Sequence, residues 1–264
     1  MPVPDRAVRA RTRAGRLAAL DAWVVRDEQK PLAPALSPWG EGAMAIDVGF
    51  GDSATTTLEL ARAVRAVNPD LRIVGVDRDA SRVASAQTSV EPGVSFVAGG
   101  FAELAALGPA CLVRAVNVLR AYREDEVPAI HELLGAPLIE GGLVVEGSSD
   151  VDGAVTVVHL LRKTAGALVR EALLFHTDFS RGFAPWLFRD WLPRDLRRRV
   201  RPGEPMHGFL SVWSAAFEAT RTRDPAEDFV ASATRLATQL EGVSTDAWCL
   251  EHGYLRWAPT PLNR

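Results

Sequence analysis

Cysteine is scarce in this chain. Cys111 and Cys249 are the only two, far apart and in no C-x-x-C pattern. A disulfide framework or zinc site is thereby excluded, and a reducing, cytoplasmic setting is expected. Long apolar runs are missing too. None approaches the roughly 20 residues needed to span a bilayer, so no membrane partner is expected. Charge of one sign is not in excess: 33 acidic against 30 basic residues leave a net charge of −3. The whole-molecule field therefore exerts no special pull toward nucleic acid. The five histidines (His131, His159, His176, His207 and His252) have no metal-ligand spacing, so no metal is expected. Neither G-x-S-x-G nor G-x-x-x-x-G-K-[ST] occurs, which argues against an α/β-hydrolase and a P-loop enzyme.

Apolar residues make up 47% of the 264 positions and charged residues 24%, a balance that permits a sizeable core. The basic start, with Arg6, Arg9, Arg11, Arg13 and Arg16 before "LAALDAWVV", lacks an A-x-A cleavage site and is interrupted by Asp21. It reads as an amphipathic helix over 6–27, with Arg6, Arg9, Arg13 and Arg16 on one face. A Pro- and Gly-rich stretch, 30–42, follows as a linker. Apolar strands then alternate with helical stretches. The strands are "AMAIDV", "LRIVGVD", "VSFVAG", "CLVRAVNVL" and "GGLVVEGSS". The intervening helices are 56–67, with Thr56 and Glu59 as a capping box, then 80–89, a short piece over 101–107, and 124–134. That rhythm predicts right-handed βαβ units and a parallel sheet covered on both faces. "AVTVVHLLRK" and "ALVREALLFHTDF" around "TAG" read as an antiparallel hairpin at the sheet edge. Helical patterning resumes from Phe183.

The expected fold is thus α/β: a doubly wound, mostly parallel Rossmann-like sheet with an antiparallel edge hairpin, an N-terminal helix and a C-terminal helical extension. The expected division is 1–42, helix and linker; 43–180, cofactor-binding core; and 181–264, extension.

The stretch "AIDVGFGDSATTTLELA" carries the chemistry. Gly49, Gly51 and Ala54 satisfy G-x-G-x-x-G/A between a strand and a helix, and Asp77 follows Ala54 by 23 positions at the end of the second strand. This is the dinucleotide fingerprint, acidic ribose-binding residue included. It equally fits a tight turn that only packs helix on strand. Asp47, two residues before Gly49, weighs against a pyrophosphate. A like charge in contact costs on the order of 1–4 kcal/mol at effective dielectrics of 80 to 20, whereas an ammonium or sulfonium would be attracted. The alternative for Asp47 is a carboxylate accepting hydrogen bonds from its own turn.

"AIDVGFG" followed by the acid of "IVGVDRD" resembles the class I S-adenosylmethionine-dependent methyltransferases, over roughly 43–149. The resemblance implies S-adenosylmethionine as cofactor. Asp47, Gly49 and Gly51 would lie at its amino-acid end, and Asp77, with Arg78 beside it, at the ribose. Two departures stand out. Ser53 replaces a third glycine, and "AGGFAEL" offers no acid for adenine, leaving that base to Gly100 and Phe101.

The acceptor is then expected over the carboxyl end of the fourth strand. Asn117, Arg120 and Tyr122 lie near that end, and Glu146 in "LVVEGSSD" is a candidate general base. The catalytic candidates are accordingly Asn117, Arg120 and Glu146, with Asn117 also near the cofactor. Glu146 as a mere turn cap and Phe101 as ordinary core are the plain alternatives. N-P-P-Y is absent, which disfavours amino-group methylation of bases and amides. Arg114, inside a strand, reads as an ion-pair residue. The arginines of "PRDLRRRVR" are interleaved with apolar residues and diluted by acids, so a small-molecule acceptor is favoured over RNA. A nicotinamide-dependent oxidoreductase and a non-catalytic binding protein remain as rivals.

Overall fold

The computed structural model describes residues 12–27 and 44–259. Arg6 and Arg9 of the arginine stripe, and the linker 30–42, lie outside the described residues. Five strands, β1 (Met44–Val48), β2 (Arg72–Asp77), β3 (Val94–Ala98), β4 (Ala110–Val116) and β5 (Leu138–Ser149), run parallel. Three more, β6 (Val155–Thr164), β7 (Ala167–Thr177) and β8 (Tyr254–Trp257), continue the sheet antiparallel. The strand order is β3-β2-β1-β4-β5-β6-β7-β8. The chain therefore winds outward from β1 to β3, then returns to the other side of β1 with β4. This reversal opens a crevice at the carboxyl ends of β1 and β4, where open α/β sheets bind ligands.

Every residue of β1 is buried, as a central parallel strand covered on both faces requires. On one face, helix α1 (Ala18–Asp27) lies against α2 (Thr55–Arg65), and Leu20, Trp23 and Val24 join Leu60, Val64 and Ile73 in one apolar cluster. Helix α3 (Ala80–Ala86) adds Val83 and Ala86 to that cluster. On the other face, α4 (Val127–Gly135) and the turn Phe101–Leu107 cover Ile46, Val76, Val113 and Val144. The antiparallel strands carry a third, aromatic cluster. There Phe175, Phe188 and Trp257 pack with Phe209 and Trp213 of α6 (Pro205–Thr220) and Phe229 of α7 (Pro225–Ala237). Two shorter helices, α5 (Arg194–Arg197) and α8 (Ala247–Glu251), complete the chain.

The parallel strands and the hairpin fall where the apolar rhythm places them. The capping box of Thr56 and Glu59 does not form. Helix α2 starts at Thr55 after Ala54 with no side-chain cap, and Glu59 Oε1 instead accepts the Gly15 N–H at 2.8 Å. The segment 101–107 is a 3₁₀ turn rather than an α-helix. Strand β8 was not expected. It pairs with β7 and brings the C-terminal region into the main sheet, just as α1 enters the first core cluster from the N-terminal side. Among the described residues, no helix is long and apolar enough to cross a membrane.

Trp213 is fully buried, stacks on Phe188 and donates its indole N–H to Ser232 Oγ at 3.1 Å. Trp213→Ala should cost about 3–5 kcal/mol in urea denaturation, the usual scale for deleting a buried aromatic. A loss under about 1 kcal/mol would mean that this cluster relaxes freely.

Candidate functional site

The turn after β1 is held from both sides. Gly49 has φ +70°, and a Cβ there would lie 2.7 Å from Val118 Cγ2, so only glycine fits beneath the β4 exit. Its N–H donates to Val76 O at 2.7 Å. Gly51, at φ +91°, donates its N–H to Asp77 Oδ2 at 3.3 Å. Asp77 is 5% exposed at the end of β2, and its Oδ1 accepts the Asp79 N–H at 3.0 Å. Asp79 in turn caps α3, accepting the Ser81 N–H at 2.9 Å. Asp52 accepts the Thr12 N–H at 2.8 Å, and despite partial burial that bond and the field of Arg82 hold its carboxyl below the ordinary value. Arg82 stands 3.5 Å from both Asp77 and Asp79. Three carboxylates thus gather around the turn and share Arg82.

Asp47 is not among them. Its Oδ2 accepts the Thr57 hydroxyl at 2.7 Å, and its Oδ1 accepts Arg114 Nε at 2.9 Å, beneath α2. Arg114 is 1% exposed and also donates Nη1 to Asp21 of α1 at 2.5 Å and Nη2 to Thr56 O at 2.8 Å. The positive charge facing Asp47 is therefore internal. Asp47 thus sets no charge against a pyrophosphate, and the carboxylates nearest the turn are Asp52, Asp77 and Asp79. Burial works against the Arg114 charge, but Asp21 and Asp47 outweigh it and raise its pKa.

The residues expected near adenine and the acceptor are placed as follows. Gly100 donates its N–H to Glu103 Oε2 at 2.7 Å, so this donor is already engaged. Phe101 is 9% exposed and tilts against Tyr122 with ring centroids 5.5 Å apart. Arg78 is partly buried directly after Asp77. Asn117 follows β4 with φ +66°, a left-handed conformation that asparagine tolerates. It joins β4 to β5: its N–H donates to Gly147 O at 2.7 Å and its Oδ1 accepts the Ser149 N–H at 3.1 Å. Arg120 is half-buried, with its guanidinium 4.9 Å from the centre of the Trp191 ring. Glu146 sits differently from the expectation. Strand β5 runs on to Ser149, so Glu146 lies inside it, 1% exposed, with Oε2 3.1 Å from His131 Nε2. It is part of a buried polar chain with His131, the T-shaped His159 ring and Asp195, which is 2.8 Å from His159 Nε2. Among the described residues, no group of three or more His, Cys, Asp or Glu could hold a metal ion.

The use made of the segment before α1 carries no signature in the residue pattern. Thr12 donates its hydroxyl to Phe50 O at 2.9 Å, Arg13 pairs with Asp152, and Arg16 donates to the carbonyls of Asp150 at 2.9 Å and Ser149 at 3.1 Å. Residues 12–16 thus strap the carboxyl ends of β1 and β5. A backbone segment bound through its own amides and a few side chains carries no motif, so periodicity had nothing to detect.

No family model and no curated protein matches the chain. Solved structures are similar at low identity. One is the Synechocystis magnesium protoporphyrin IX methyltransferase with S-adenosylhomocysteine bound: 20% identity over 50% of this chain and 54% of that one, TM-score 0.38. The match spans about half of that enzyme's length. Another is a Plasmodium falciparum protein provisionally named a protein-L-isoaspartate O-methyltransferase, in complex with S-adenosyl-L-homocysteine: 17% identity, 64% of this chain and 75% of that one, TM-score 0.40. A pericyclic reaction enzyme is similar to the same degree: 18% identity, 45% and 31%, TM-score 0.36. Overlaps at these scores assign no residue role in this chain.

Burial pushes the Asp21 carboxyl up to about 6, with Arg114 opposing, and Asp21 Oδ2 is buried without a hydrogen-bond partner. A folded-state pKa raised above the unfolded value contributes stability that is fully present below about pH 4 and lost as pH rises through about 6. Relative to Asp21→Asn, the unaltered chain should therefore lose stability between about pH 4 and 6 in urea titrations. A pH-independent difference would contradict this. Arg114→Met should cost about 3–5 kcal/mol, because two buried carboxylates lose their cation.

Proposed function

We propose that this protein is an S-adenosylmethionine-dependent methyltransferase acting on a small molecule. The observation carrying this reading is the cluster of Asp52, Asp77 and Asp79 around a glycine turn at the topological switch point. Three carboxylates, set against Arg82 and the neighbouring Arg78, leave the turn net acidic, which disfavours a pyrophosphate and favours a ligand bearing ammonium and sulfonium charge. The donor set suits that ligand. The backbone at Gly49 and Gly51 has no Cβ to keep it away, and Asp77 stands where a ribose would offer hydroxyl donors. Gly100 and Phe101 are the candidates for the base, with the Gly100 N–H having to exchange Glu103 for a new partner. Asp47 acts at one remove, through Arg114 and Thr57, as a residue that positions β1 against α2.

When bound, the cofactor supplies an electrophilic methyl group. The chain's own task is alignment and exclusion of water. The strap at residues 12–16 and the partly buried β4–β5 junction at Asn117 are suited to this. Glu146, enclosed with His131, is not a free base at the crevice, so the acceptor must be nucleophilic without its help.

Calorimetry decides between the cofactors. S-adenosylhomocysteine should bind and NAD(H) should not, and Asp77→Ala should weaken S-adenosylhomocysteine by about 1–3 kcal/mol. Binding of NAD(H) without S-adenosylhomocysteine would overturn the reading in favour of an oxidoreductase. Cofactor affinity without transfer to any acceptor would point to a binding protein.

A further inference from the structure

At the exit of β4 arginines outnumber carboxylates, whereas at the end of β5 Asp150 and Asp152 are met by Arg16, Arg181 and Arg13. The chain leaving β4 places Arg120 half-buried on Trp191, and the charges acting on it are Arg197, Arg16 and Arg194, with Asp190 the one carboxylate among them. Burial lowers the Arg120 pKa first, and those three arginines lower it further. Arg194 is fixed by donating Nε to Tyr122 O at 2.5 Å, and Arg16 by the β5 carbonyls described above. Beyond Arg120, a cleft of about 430 Å³ is lined by Arg189, Arg194, Arg197, Arg198 and Asp190. Its single carboxylate, Asp190, is 3.7 Å from Arg197 and largely exposed. Among the described residues, Arg120, Arg189 and Arg198 form no ion pair.

Gathering like charges around a partly desolvated guanidinium raises the energy of the site, and an anion relieves it. Arginine offers a planar fork matched to a carboxylate or phosphate, and the Trp191 face holds the Arg120 plane. The cleft has the size of a small-molecule pocket.

We infer that the acceptor is a small anion, carrying a carboxylate or phosphate that Arg120 and Arg197 bind at the carboxyl end of β4. This deepens the methyltransferase reading and rests on it, since that reading makes this place the acceptor site. The same cations could meet a polyanion, but Asp190 within the cleft and the net charge of −3 favour a compact ligand.

The test is calorimetry on the full chain with inorganic phosphate, citrate and a short single-stranded RNA, each with and without S-adenosylhomocysteine. Phosphate or citrate should saturate one site, and whichever binds tighter identifies the anionic group. Arg120→Gln and Arg197→Gln should each weaken that binding about tenfold or more while leaving S-adenosylhomocysteine affinity intact. Arg221→Gln, on an exposed arginine that stacks on Phe217, should change nothing. If Arg120→Gln fails to fold, Arg197→Gln alone carries the test with the same expectation. No saturable binding of either small anion, equal binding in all variants, or RNA binding tighter than both would overturn the inference. Failure of S-adenosylhomocysteine to bind would instead count against the cofactor reading, and the anion titrations would still report the charge preference of the cleft.

Discussion

The interaction on which the structure turns is the burial of Arg114 between Asp47 of β1 and Asp21 of α1. A guanidinium that is 1% exposed is tolerable only if its donors are occupied by charge or carbonyl, and here Nε, Nη1 and Nη2 each have a partner. One partner comes from the sheet, one from the N-terminal helix and one from the first turn of α2. The three elements are therefore oriented relative to each other by a single cation. Packing of Trp23 and Leu60 supplies the larger apolar term, but apolar contact has no preferred register. The hydrogen-bonded charges do, and they specify which turn of α1 faces β4.

That constraint reaches the ligand crevice. With α1 fixed, residues 12–16 are delivered to the carboxyl ends of β1 and β5, where Thr12 and Gly15 find Phe50, Asp52 and Glu59. The glycine turn then presents Asp52 and Asp77 rather than Asp47. A carboxylate at the end of a central strand is easily taken for a ligand group. In this fold it ties β1 to α2 through Thr57 and Arg114, and the carboxylates beside the turn are those of the next residues along.

Much of this was legible in the residues. Parallel strands buried on both faces must be apolar throughout, so "AMAIDV" and "LRIVGVD" announced themselves. The hairpin around Ala165 and Gly166 did so through its turn chemistry. Arg114 was legible as an ion-pair residue, because an arginine within an apolar strand has few other uses. Its partners were not, since Asp21 lies 93 positions away and pairing at that distance leaves no periodic trace. The strand through Ser149 was legible, but the enclosure of Glu146 was not, because its partner His131 comes from α4 and leaves no trace in the strand's own pattern. Strand β8 was missed because four residues, "YLRW", are too few for alternation to register. What marks it is a neighbour, β7, that only the fold supplies.

Carboxylates prevail around the glycine turn, and arginines prevail around Arg120 at the exit of β4. On the proposed function, this contrast bears on the reaction as a whole. A cationic cofactor and an anionic acceptor would each be held by the side that repels its counterpart, so neither can occupy the other's place. Alignment for an in-line displacement would then follow from the sign of the two surfaces as well as from shape. Were a methyl group transferred from a sulfonium, that charge would be lost and its attraction to Asp52, Asp77 and Asp79 would weaken, while an anionic acceptor would keep its hold on Arg120 and Arg197.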